Sequence, residues 1–161
     1  MSYNDVYNNR SGSVAVAATT ATPVLSVFGT AAKRLWAVGI RFGIGLTVAA
    51  AGNSMLIQLA RPGNTPTGTG LASGNPHDFS SPASIGQLAT AWSTAPTVGV
   101  ILAEWELPQT TGSEWVEFPP TGDEWGIPAL ANAAANAGLH VFVTPSVATS
   151  TPVFANLVTG E

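Results

Sequence analysis

Short runs of β-branched and aromatic residues recur along the chain between clusters of Gly, Pro, Ser, Thr and Asn, which is the pattern of an all-β domain. About eight strands are expected: Ser13–Ala18, Val24–Phe28, Arg34–Phe42, Gly45–Ala50, Ser54–Ala60, Gly99–Leu107, Glu114–Phe118 and Leu139–Pro145, with Thr151–Thr159 as a closing strand. In Arg34–Phe42 the alternate positions Trp36, Val38, Ile40 and Phe42 are large and apolar. Leu35, Ala37, Gly39 and Arg41 between them are smaller or polar, which assigns one face of the strand to the core. Ser54–Ala60 is apolar on both faces at Met55, Leu56, Ile57 and Leu59, as in a central strand covered on both sides or an interface strand. Trp36, Trp105 and Trp115 fall inside strands and are expected in the core, whereas Trp92 and Trp125 border loops.

The strand pattern lapses in four places. Residues Met1–Ser13 are polar and Asn-rich, with only Tyr3, Val6 and Tyr7 as anchors. They read as an N-terminal arm outside a sandwich domain of residues 14–161, either a frayed terminus or a segment that orders on a partner. Arg61–Gly86 is a long loop of about 26 residues dense in Pro, Gly, Thr, Ser and Asn, and loops of that length are contact or functional elements more often than plain connections. Ser84–Trp92 has the cap and spacing of a short helix stopped by Pro96. Ala129–Gly138 has strong helix propensity but little apolar periodicity, so a loop and a short helix closed by Gly138 both fit.

Composition changes this picture in one respect. Charged residues make up 9% of the 161 positions while 45% are hydrophobic, five of them Trp. Soluble domains carry about a quarter of their residues as charges, so a free monomer with so bare a surface would associate. Disorder is excluded by the same figures. The longest apolar stretches, such as Leu35–Phe42 and Val98–Ala103, fall short of the roughly 20 residues of a membrane helix, and the polar start has no signal-peptide character. With no cysteine there is no disulfide, thiolate metal site or cysteine nucleophile. All five basic residues (Arg10, Lys33, Arg34, Arg41, Arg61) lie at or before position 61 and eight of the nine acids lie after it. Either paired strands scatter these charges over one domain, or opposite-signed patches meet between neighbouring subunits and fix their register.

Candidate chemistry is sparse. His77 and His140 are not spaced as a metal pair. Glu104 and Glu106 share a strand face at a spacing of about 7 Å, superficially suited to glycoside hydrolysis. Alternating with Trp105 and Leu107, they describe an outward polar face over an inward apolar one, and Glu114 and Glu117 fall on opposite faces of their own strand. Gly68-Thr-Gly70-Leu-Ala-Ser-Gly74 misses the dinucleotide fingerprint and no phosphate-binding Gly-Lys-Ser/Thr is present. Five basic residues on an acidic chain give no nucleic-acid footprint. Trp125 beside Asp123 and Glu124, or Trp92, would serve as a sugar-stacking platform. No catalytic, metal or cofactor residue is assigned, no cofactor is expected, and the chain reads as a non-enzyme.

Within Val100–Pro119, Glu104-Trp-Glu-Leu-Pro108, then Gly112, then Glu114-Trp-Val-Glu-Phe-Pro119 resemble a group of small accessory virion proteins of tailed bacteriophages, described as minor structural or head decoration proteins. Trp125-Gly-Ile-Pro128 and Leu139-His-Val-Phe-Val143 continue the likeness, and Arg34–Phe42 and Leu56–Arg61 extend it upstream, so that it covers roughly Lys33 to Val143. The chain departs from the group at Ala129–Gly138 and in its polar arm. The resemblance implies a β-sandwich of jelly-roll type, non-enzymatic, bound in many copies to the outside of a phage head. It would be made in the host cytoplasm, with the major capsid protein and further copies of itself, preferably as a trimer, for partners, and neither nucleic acid nor membrane. On that reading the arm and the loop Arg61–Gly86 are the contact elements. The alternative is a receptor- or glycan-binding module of a head or tail fibre.

Overall fold

The apolar runs form fifteen strands in the computed structural model, which describes residues 5–30, 34–45, 52–76, 82, 84, 86–118, 126–127, 132–135 and 137–161. In chain order these are β1 (Val6–Arg10), β2 (Val14–Val16), β3 (Thr22–Phe28), β4 (Leu35–Ile44), β5 (Ser54–Pro62), β6 (Thr67–Thr69), β7 (Ala72–Ser73), β8 (Asn75–Pro76), β9 (Gln87–Ala89), β10 (Ala91–Thr94), β11 (Val98–Pro108), β12 (Gly112–Glu117), β13 (Gly126–Ile127), β14 (Leu139–Pro145) and β15 (Thr151–Gly160). The all-β expectation holds, but the count of about eight does not. Seven strands are added: β1 from the segment read as an arm, β6, β7 and β8 from that read as a long loop, β9 and β10 largely from that read as a short helix, and β13; six of the seven have only two to four residues, too few to show a periodicity. The expected strand Gly45–Ala50 lies largely outside the described residues.

Every pairing is antiparallel. One sheet of seven strands runs β12-β4-β15-β1-β8, with β13 also on β4 and β2 also on β15; a sheet of six runs β11-β5-β14-β3-β9-β7; β10 and β6 form a separate pair. Inward side chains of both large sheets join a single cluster: Ile40, Phe42, Ala155 and Leu157 from the first, and Ile57, Leu59, Val141 and Val143 from the second. Burial of such side chains at roughly 1.5–3 kcal/mol each is what holds the two layers face to face.

Three local expectations are corrected. The segment Met1–Ser13 is not an arm from Val6 onward: β1 pairs with both β15 and β8, and Tyr7 and Asn9 are fully buried. Tyr7 Oη donates to Pro82 O at 2.9 Å, and Asn9 Nδ2 donates to Leu157 O at 2.9 Å and Thr159 Oγ1 at 3.0 Å. A polar sequence enters the sheet because its donors find partners 75 to 150 positions away, which no local window reveals. In β4 the alternation reverses midway, with Leu35 and Ala37 buried at one end and Ile40, Phe42 and Ile44 at the other. The cause is a register shift opposite Val158/Thr159, where Val158 pairs Gly39 but Thr159 pairs Ala37, so Val38 is the extra residue of a bulge. Trp36 and Val38, read as core-facing, are therefore only half-buried. Finally, the helix expected over Ser84–Trp92 is replaced by β9 and β10, whose backbone groups are satisfied by β3, β7 and β6. Among its described residues, Ala129–Gly138 forms turns and no helix, with Ala133 and Gly138 at positive φ (68° and 85°).

Candidate functional site

Each large sheet has an outer face, and the molecule treats the two differently. Over β3 and β14, the outer face of the six-stranded sheet is covered by the chain itself. Trp92 on β10 donates its Nε1–H to Ser26 Oγ on β3 at 2.8 Å, and Ser26 Oγ lies 2.7 Å from His140 Nδ1 on β14. His140 Nε2 is 2.9 Å from Ala137 O. A carbonyl only accepts, so Nε2 carries the proton and Nδ1 accepts from the serine hydroxyl. Each donor and ring nitrogen in this chain of bonds is thus used, Ser26 Oγ both accepting from Trp92 and donating to His140. Phe28 stands edge-on to the His140 ring at 5.7 Å and Phe142 lies 6.2 Å away, and burial lowers the His140 pKa to about 4. A serine against a histidine invites comparison with an activated nucleophile, but both residues are fully buried, and His140 Nε2 is turned to a backbone carbonyl rather than to an orienting carboxylate. The arrangement neutralises and packs the histidine.

The outer face of the seven-stranded sheet carries no such layer among the described residues. Register places Arg10 on β1, Asn156 on β15, Arg41 on β4 and Trp115 on β12 in one row across four neighbouring strands. Along β4, Arg41 alternates with Gly39 and Gly43, and these two glycines are the space into which aromatic rings lie. A Cβ at position 39 would stand 2.9 Å from the Trp115 ring, and one at 43 would overlap Phe154. Trp115 and Phe154 therefore lie flat on the sheet on either side of Arg41, yet remain 45% and 39% exposed. Asn156 Nδ2 donates to Asn8 Oδ1 at 2.8 Å. Arg10 and Arg41 make no ion pair or side-chain hydrogen bond among the described residues. Two shallow depressions of about 400 and 380 Å³ flank the row, sharing Arg10, Arg41 and Asn156, one bounded by Phe154 and the other by Trp115.

A second exposed region adjoins this face at the edge of the molecule. β11 ends the six-stranded sheet, paired on one side to β5, with two register shifts between Val98 and Ala103. Trp105 and Leu107 turn inward, the Trp105 ring tilted against Phe42 at 5.2 Å, while Glu104 and Glu106 face solvent. This is the inward and outward division read from the sequence. Gln58 Nε2 donates to Glu104 Oε2 at 3.3 Å. Further back, Val100 and Ile101 are 64% and 45% exposed. The turn after β11 is fixed by the buried Gln109, whose Nε2 donates to Val147 O at 3.0 Å and to Thr151 Oγ1 at 3.2 Å and so ties the turn to the connection between β14 and β15.

Of the side chains singled out in the sequence, Trp105 packs where expected, whereas Trp115, expected in the core, is exposed because β12 lies at a sheet edge and the residue points outward over Gly39. Trp92, considered as a sugar platform, is tied inward through its indole N–H. His77, Asp78, Asp123, Glu124 and Trp125 lie outside the described residues. No group of three or more metal-ligating side chains occurs among the described residues, and no helix there is long and apolar enough to cross a membrane. The row Arg10–Asn156–Arg41–Trp115 escaped sequence reading. Its one local signal is Gly39-Ile-Arg41-Phe-Gly43, a strand with glycines on both sides of an arginine on the same face. No protein-family model matches the chain, and no curated protein matches it.

Proposed function

We propose that the protein is a non-enzymatic structural component of a tailed-phage virion, a jelly-roll-type sandwich that binds the outside of the head, bridges major capsid subunits and stabilises the shell. The observation that carries this reading is a sheet face with no covering layer among the described residues and an edge strand, both with exposed large apolar side chains, on a chain with few charges. Such a surface is poorly suited to a solitary soluble protein and well suited to burial between copies. The residues on which the resemblance to virion accessory proteins rests, Glu104–Pro108 and Glu114–Phe118, lie largely on that exposed edge, β11 and β12. The jelly-roll part of the reading is supported by connectivity. Of the eight strands with five or more residues, β1, β4, β12 and β15 belong to one sheet and β3, β5, β11 and β14 to the other.

A protein that binds only the assembled shell stabilises it by mass action. The test is to purify particles of the phage that encodes this chain and quantify it against the major capsid protein. We expect it in fixed stoichiometry on heads, and we expect heads stripped of it to lose their genome at lower temperature than heads to which it has been restored. Its absence from purified particles would overturn the reading.

A further inference from the structure

We propose that the outer face of the seven-stranded sheet, over which no layer lies among the described residues, is a docking surface for the β11 edge of a second copy of this chain. Arg10 and Arg41 of one protomer receive the partner's Glu104 and the partner's Glu106, while Trp115 and Phe154 receive the partner's Val100 and the partner's Ile101. The inference rests on the self-association within the proposed function but not on the shell.

Charge and order both favour this occupant. On the face, the row across the sheet reads aromatic, cation, amide, cation, with the two arginines two strand spacings apart, about 10 Å. On the edge, β11 reads apolar, apolar, then acid and acid two residues apart, about 7 Å along the strand. An edge laid across the strands of the face brings apolar residues to the aromatic end and both carboxylates within reach of two long arginine side chains. The chain's surplus of acid after position 61 and of base before it then acquires a use, since both cations of the face come from the basic part and both acids of the edge from the acidic part, although β12 also brings Glu114 to the depression beside Trp115. The edge argues for the same event from its side chains, because Val100 and Ile101 stand exposed next to each other on it. Face and edge are different surfaces, so the contact is heterologous and closes into a ring at the right rotation.

The experiment is light scattering after size exclusion on four full-length proteins, with thermal unfolding of each as the control for folding: the natural chain, Arg10→Glu with Arg41→Glu, Glu104→Arg with Glu106→Arg, and all four changes together. We expect the natural chain to be a salt-sensitive oligomer and each two-residue reversal to weaken association by about 100-fold or more through like-charge contact. The four-residue exchange, which restores opposite charges at every contact, is expected to recover the oligomer. A natural chain that is monomeric at about 100 µM, an oligomer indifferent to both reversals, or a four-residue exchange that stays dissociated overturns the proposal. The virion reading fails separately: an oligomer with these properties that is missing from particles sinks the shell role and leaves the docking intact.

Discussion

The outer faces of the two sheets start from similar material and end differently. Both carry aromatic residues, Phe28 and Phe142 on central strands of one sheet, Phe154 on a central strand and Trp115 on an edge strand of the other. On the six-stranded sheet, β10 with β6 and the turns before Gly138 close over the aromatics, and Phe28, Phe142, Ser26 and His140 lose all contact with solvent. On the seven-stranded sheet nothing among the described residues plays that part, and two large rings and two guanidinium groups stay at the surface. Here the polar contacts of the first face are saturated within the molecule, while those of the second are left open.

The comparison breaks most easily in the core of the covered face. Phe142→Ala is expected to cost about 3–5 kcal/mol, the range for truncating a buried phenylalanine, whereas Phe154→Ala on the open face should cost no more than about 1 kcal/mol, that of a cross-strand surface pair. Urea titration of the two variants under conditions where the protein is dissociated checks this, and similar losses for both would mean that the two faces are equally buried.

The next effect is a pH dependence confined to the covered face. Burial lowers the His140 pKa to about 4, against about 6.5 for the same group in the unfolded chain. Between those values the unfolded chain binds a proton that the folded chain refuses, so stability is full above pH 6.5 and falls as the pH drops toward 4, by up to roughly 3 kcal/mol. Below that window both states are protonated and this group adds no further loss. Unfolding titrations at several pH values should show the slope, and His140→Gln should flatten it whatever its effect on stability at pH 7.

The smallest effect sharpens the role of the tryptophan that closes the cover. Trp92→Phe keeps most of the ring but removes the donor to Ser26, which is worth about 1 kcal/mol for a single neutral hydrogen bond. A larger loss, accompanied by faster amide exchange in β3 and β14, would mean that the bond anchors the whole covering layer.

Much of this organisation was legible before any coordinates. Strand-forming runs separated by turn residues announced an all-β domain, and the alternation in β11 correctly set Trp105 inward and Glu104 and Glu106 outward. The same reasoning failed in β4, where one bulged residue reversed which side of the strand carries the core. It failed again at Val6–Arg10, whose burial depends on bonds to Leu157 and Thr159.

Legible from local pattern and composition alone are therefore the class of structure, the positions of the long strands, and a surface poor in charge. Only the tertiary structure decided which strands became edges, which face was covered, and that Arg10, Asn156, Arg41 and Trp115 form one row. The physical reason is that a strand's period of two says only that its faces differ. Which face meets protein and which meets solvent depends on partners in distant parts of the chain, brought together by pairings that no local pattern encodes.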